Sequence, residues 1–180
     1  MTAPDKARRP RPIDRGYLER AAVFYLERYA SSADNLRRVL LRKVRRRLPA
    51  GEPVPEEIPA LVEETVARAV ASGLLDDRSY AGAKTASLVR RGTSTRGIRM
   101  RLRAKGVPEE VVAAAIADND PDDLALARRF AERKRLGAWR SPDPNPDPDR
   151  ARQRRARDIA ALGRAGFPYG VARAALEESE

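Results

Sequence analysis

One phrase in this chain constrains its fold more than any other, and it recurs. It reads "GVPEEVVAAAI" at 106–116 and "GFPYGVARAAL" at 166–176. Gly166 answers to Gly106, Pro168 to Pro108, Val171 to Val111 and Leu176 to Ile116. An imperfect earlier copy, "VPEEI", stands at 54–58, with Gly51 farther upstream and Pro59 expected to delay or distort the helix start. The physical content is local. Glycine stops one helix because it tolerates positive φ. Proline opens the next, where a first-turn N–H has no intrahelical partner. Acidic residues such as Glu109 and Glu110 then sit where the helix dipole favours negative charge. Each copy is a helix-turn-helix junction.

Apolar spacing places helices around these junctions. Leu18, Ala21, Ala22, Tyr25, Leu26 and Tyr29 form one stripe, and Leu36, Val39, Leu40 and Val44 a second. Leu61, Val62, Thr65, Val66, Ala69 and Val70 form a third, ended by Gly73. Asp76 or Asp77 is expected to cap a helix carrying Tyr80, Ala83, Ser87 and Leu88. Thr93 or Ser94 is expected to cap the next, with Ile98 and Leu102 facing its core, and Val112, Ala115 and Ile116 line the helix after Gly106. Further on, Asp120 is the expected cap, Pro121 the first helical residue, and Leu124, Ala127 and Ala131 the stripe of a helix reaching about Leu136. Ile159 and Leu162 mark another helix before Gly166.

The copies stand 53 and 60 residues apart, counted from Val54 to Val107 and from Gly106 to Gly166. The expected fold is therefore all-α, an elongated array of three tandem three-helix repeats. The expected boundaries are a disordered basic leader at 1–15, repeats at 16–73, 74–118 and 119–180, and a Pro/Asp-rich exposed insertion at 141–149 inside the third. Aromatics make up only 5% of the chain and charged residues 35%, which argues against a single large core. Units of about 50 residues bury little alone and share cores when stacked. Such a shape suits a long partner better than a small enclosed substrate.

A catalytic reading finds little support. The chain has no cysteine and no histidine, which removes disulfides, thiolate chemistry and the commonest general base and metal ligand. No glycine-rich phosphate loop occurs, and "RRGTSTRG" reads as a helix break. Asp76 with Asp77, and Asp122 with Asp123, begin helices, so capping explains them better than metal binding. Asp143, Asp147 and Asp149 lack the glycine and distal glutamate of a calcium loop. Trp139 reads equally as a binding anchor or as a tack holding the insertion to the body. No cofactor, no enzymatic activity and no membrane span are expected, and the N-terminus lacks the apolar segment of a secretory signal.

Charge is the positive signal. The net charge is +11 over 180 residues, carried mostly by arginine, and suits a polyanion or an acidic protein surface. Arg96, Arg99 and Arg103 share one face beside Ile98 and Leu102, with Arg90 and Arg91 nearby at the end of the preceding helix and Lys105 just beyond. A second basic face runs from Arg37 to Arg47 and includes Arg42, and a third from Arg150 to Arg157 includes Arg154 and Arg155. Solvated faces remain the plain alternative for each.

The stretch "GLLDDRSYAGAKTASLVRRGTSTRGIRMRLRAKGVPEEVVAAAI" resembles the central segment of RecX regulatory proteins. Leu75-Asp76-Asp77, Tyr80-Ala81, Arg90-Arg91, Gly97, Leu102 and Lys105-Gly106-Val107 carry the resemblance, together with the opening helix from Ala21 to Arg28 followed by Ser32 and Leu36. It covers about residues 17 to 176. It implies a modulator that binds in the groove of the RecA recombinase filament on single- or double-stranded DNA and inhibits its ATPase, strand exchange and coprotease activities. The resemblance carries no catalytic motif with it, and a cytoplasmic monomer is expected. The insertion at 141–149 and Pro59 depart from the family pattern. A stand-alone helical DNA- or RNA-binding protein, and a carboxylate-dependent nuclease, are the readings from other classes.

Overall fold

A computed structural model describes residues 12–145 and 147–177. Among the described residues every regular element is helical: nine α-helices and one short 3₁₀ turn. The basic leader expected at 1–15 lies outside the described residues up to position 11. From there the chain is already entering a helix, with Asp14 accepting the Tyr17 N–H at 2.7 Å.

The chain divides between Asp76 and Asp77 into two compact units. The first holds α1 (Arg15–Leu26), α2 (Ala33–Arg45) and α3 (Glu57–Ala71), each packed on the other two. Its core is Leu18, Leu36, Leu40, Val44, Ile58, Val62 and Val66, joined by Leu75 after the last helix. Ser32 caps α2 by accepting the Asn35 N–H at 3.2 Å. One expectation holds here and one fails. Pro59 has no N–H to give the Pro55 carbonyl, so α3 opens at Glu57 on a bond from the Ile58 N–H to Pro55 at 3.1 Å, one residue later in the phrase than α6 opens at Glu109. Tyr29 is 58% exposed because α1 ends at Leu26, before the stripe completes another turn.

The second unit holds two helix triples. In one, α4 (Asp77–Arg90), α5 (Thr95–Arg103) and α6 (Glu109–Asn119) close around Ile98, Leu102, Val107 and Val112. In the other, α7 (Asp123–Lys134), α8 (Pro148–Arg164) and α9 (Tyr169–Ala175) close around Leu126, Ala127, Ala131, Leu162, Phe167 and Ala172, with the 3₁₀ turn at Gly137–Trp139 between α7 and α8. In both, the first helix packs most extensively on the third. The two clusters touch: Val89 of α4 packs against both. Ser94 Oγ also crosses from one triple to the other, donating to the Ala165 carbonyl at 2.7 Å.

The repeated phrase proves to be one conformation used twice. Gly106 and Gly166 have φ of 70° and 96°. In each copy the next N–H reaches back to the last core leucine, Val107 to Leu102 at 3.2 Å and Phe167 to Leu162 at 3.1 Å. That is a Schellman-type stop, satisfying carbonyls that the helix leaves open. Pro108 and Pro168 occupy the cap position rather than the first helical one, with their carbonyls accepting from Val112 and Ala172 at 2.9 and 2.8 Å.

Other details depart from the sequence reading. The buried face of α4 is Ala81, Thr85 and Leu88, while Tyr80 and Ser87 are half-buried and Ala83 is exposed. Asp120 does not start a helix; it ends α6 in the left-handed region, and Asp122 caps α7 by accepting the Leu124 N–H. Pro121 therefore lies in the turn. Arg135, also left-handed, stops α7 at Lys134, two residues short of Leu136. The 141–149 segment is not insertion throughout: Asp147 caps α8 and Pro148 is its first residue.

Candidate functional site

Helix α5 is the most arginine-dense element of the middle triple. Ser94 caps it, accepting the Gly97 N–H at 3.1 Å. Asp123, from the start of α7, accepts from both the N–H and the hydroxyl of Thr95 at 2.8 and 2.9 Å. Ile98 and Leu102 are fully buried and fix the rotation of the helix. The remaining positions carry Arg96, Arg99, Arg101 and Arg103 outward in different directions.

Of Arg96, Arg99 and Arg103, the three expected to share a face, two are engaged by a carboxylate. Arg103 and Arg99 both close on Glu109, at 2.6 and 3.4 Å. The Arg103 hydrogen bond, with the Arg99 charge behind it, holds the Glu109 carboxyl below its ordinary value. Glu109 is the first glutamate of the repeated phrase, so the residue that favours the α6 dipole also neutralises its neighbours. Arg96 is exposed and forms no ion pair among the described residues. Arg90, Arg91 and Lys105 are exposed around the two ends of this helix pair. The Arg91 carbonyl accepts a hydrogen bond from the Arg133 guanidinium.

The second basic face is similarly divided. Arg37 bridges Asp34, at 3.0 Å, and Glu63 of α3, at 2.9 Å through its second nitrogen. Glu63 titrates below its usual value because Arg37 donates to it. Burial pushes Asp34 up, but hydrogen bonds from Arg38 and Arg37 outweigh it and the net direction is down. Arg42 is exposed. Nearby, the exposed ring of Phe24 carries the Arg28 guanidinium 3.8 Å from its centroid and the Lys43 ammonium at 5.8 Å. On α8, Arg154 pairs with Asp143 and Arg155 with Glu177 at 3.2 Å. Of the expected contact residues, then, Arg42, Arg90, Arg91 and Arg96 are left outside the ion pairs formed among the described residues. Arg37, Arg99, Arg103, Arg154 and Arg155 are engaged by carboxylates.

Sequence order hid a different convergence. Arg101 of α5, Arg133 of α7 and Arg164 of α8 line one cleft of about 320 Å³ beside Ser94. They are 32 and 31 residues apart, with no periodicity connecting them. No group of three acidic side chains able to hold a metal ion occurs among the described residues. No described helix is long and apolar enough to cross a membrane.

Residues 76–116 match the family model described as RecX, second three-helix domain. The chain is 43% identical over 183 aligned positions to a regulatory protein RecX of Myxococcus xanthus, covering 98% of this chain and 95% of that one. It is 30% identical to a regulatory protein RecX of Agrobacterium fabrum, over 84% and 77% of the two chains. Two crystal structures share the fold. One, of a regulatory protein RecX, has a TM-score of 0.61 at 21% identity, over 87% of this chain and 68% of that one. The other, RecX from Lactobacillus salivarius, has a TM-score of 0.62 at 15% identity, over 90% and 94%. With a relative this similar along nearly its whole length, and with the helix triples and glycine-proline junctions described above, the chain belongs to the RecX family of regulatory proteins.

Proposed function

We propose that this protein binds the RecA recombinase filament on DNA and inhibits its ATPase, strand exchange and coprotease activities, acting as a cytoplasmic monomer with no catalysis of its own. The observation that carries this reading is family membership along nearly the whole chain, with relatives named as regulatory proteins. The net charge of +11 supports it, since both nucleic acid and an acidic protein surface attract such a chain. Arg90, Arg91 and Arg96 are the first candidates for contact, because each is exposed and none must break an ion pair among the described residues to reach a partner.

The test is the ATPase rate of a RecA filament on single-stranded DNA, with and without this protein. Slowing by the parent chain, relieved when Arg90, Arg91 and Arg96 are all changed to glutamate, supports the reading. An unchanged rate at saturating protein overturns it. Retained binding to bare DNA alongside an unaffected filament favours a stand-alone nucleic-acid-binding protein instead.

A further inference from the structure

We propose that the cleft lined by Arg101, Arg133 and Arg164 is a binding site for the phosphate backbone of single-stranded nucleic acid. Three guanidinium groups from three helices line it, and no acidic side chain does. On the other basic faces acidic side chains are interspersed, and Glu109, Glu63, Asp34, Asp143 and Glu177 engage Arg103, Arg37, Arg38, Arg154 and Arg155. Neither Arg101 nor Arg164 forms an ion pair among the described residues. Like charges held together without a counter-charge repel one another, and an arriving anion relieves that repulsion.

Arg133 is held in place before any ligand arrives. It donates to the Arg91 carbonyl, and its guanidinium lies 5.5 Å from the centroid of the Phe130 ring. That ring is braced edge-on against Phe167, with centroids 5.9 Å apart. A group fixed this way loses little freedom on binding. The start of α5 is not what attracts the anion, because Asp123 and Ser94 already accept from Thr95 and Gly97 there. The arginines are.

Size favours an unpaired strand. About 320 Å³ is near the lower end of ligand pockets, which run from about 300 to 1,000 Å³. It admits a phosphodiester with part of its nucleoside, which an unpaired strand can turn inward, whereas a duplex presents only its phosphate. Guanidinium forks match phosphate oxygens in pairs of hydrogen bonds, as they do carboxylates, and a strand supplies successive phosphates to three arginines where an isolated carboxylate supplies one charge. The proposal deepens the filament reading by naming where one strand would lie, but its test needs no recombinase.

The experiment titrates salt against binding of a labelled oligothymidylate to the full chain. Arg101→Gln, Arg133→Gln and Arg164→Gln together should flatten the plot of log affinity against log salt by about 2 units, at about 0.7 per contact on a single strand. Arg101→Gln and Arg164→Gln alone, which break no described bond, should each remove about 0.7 units and keep the test open if the triple variant does not fold. Neutralising Arg135, Arg152 and Arg157, exposed elsewhere on the same unit, should change the slope far less. A parent chain that does not bind the oligonucleotide overturns the proposal. So does an unchanged slope in the cleft variants, or an equal loss in the control. If filament inhibition disappears while the oligonucleotide slope is unchanged, the cleft takes an acidic protein surface and the proposal is wrong.

Discussion

Arg140 donates to both carboxylate oxygens of Asp158, at 2.6 and 2.9 Å, and Asp158 also accepts the Gly137 N–H at 3.1 Å. Asp158 is only 6% exposed and stands sixty residues after Ile98, the matching core position of the middle triple. An aliphatic site in one repeat is a buried charge in the other, and Arg140 with the 3₁₀ turn satisfies it.

Removing one partner of this pair should hurt more than removing both. Arg140→Ala leaves a buried carboxylate with a single donor and should cost about 1–3 kcal/mol in urea unfolding. A fully buried pair would cost more, but Arg140 is 40% exposed. Asp158→Ile combined with Arg140→Met, which restores the residue type at position 98, should be near neutral or stabilising relative to Arg140→Ala. A double variant less stable than Arg140→Ala would show that the Gly137 bond matters more than the charge.

Ser94 and Gly166 should behave as a coupled pair. Ser94→Ala removes both the α5 cap and the bond to Ala165, a loss of about 1–3 kcal/mol by urea unfolding. Thr93→Ala, at the other residue the sequence offers as a cap, should cost less. Gly166→Ala places a left-handed Cβ 2.7 Å from Ser94 Oγ and should be destabilising by about 1–2 kcal/mol or more. In the Ser94→Ala background that clash disappears, so the double variant should be more stable than the sum of the singles.

Acid should weaken the first unit through Asp34 and Glu63. Both carboxyls titrate below their ordinary values of 3.8 and 4.5 in the folded chain. A folded value below the unfolded one means the stabilisation is complete above the ordinary range and is lost as pH falls through the folded value. Thermal stability attributable to this network should be flat down to about pH 5 and decline below about pH 4. Arg37→Gln should shrink that acid-dependent loss, and raised salt should shrink it too, since these side chains are partly exposed. An identical pH profile in Arg37→Gln would assign the acid sensitivity elsewhere.

The proline-rich segment should divide into a dispensable and a structural part. Replacing 141–145 by Gly/Ser residues removes the Asp143–Arg154 pair, whose side chains are part-exposed, and should leave the melting temperature within a few degrees. Asp147→Ala should cost about 1 kcal/mol, because its carboxylate accepts the Asp149 and Arg150 N–H groups that start α8.

Legibility in the sequence followed residue type. Ile98, Leu102 and Val112 stand out as branched or long apolar residues at helical spacing, and all are buried. The α4 face did not stand out, because Ala81 and Thr85 resemble the exposed Ala83 in polarity and only packing separates them. Asp120 reads as a cap in the sequence because an aspartate serves a cap or a left-handed turn equally well. Glu109 was in view six residues after Arg103, yet its place in a first turn suggested the dipole and hid the pairing. Arg101, Arg133 and Arg164 lie on three helices, and only tertiary structure brings them together.

Val89 packs into two cores at once, and the Ser94 hydroxyl reaches from one helix triple to the other. A triple with a private core could open by itself on the slow timescale of amide exchange. Here, releasing α7 to α9 strips Val89 of its neighbours in the second of those cores and leaves a buried hydroxyl without its acceptor. The segment from Asp77 onward is therefore built to open as a single foldon, in which the amides of α4 and α7 exchange from the same rare state.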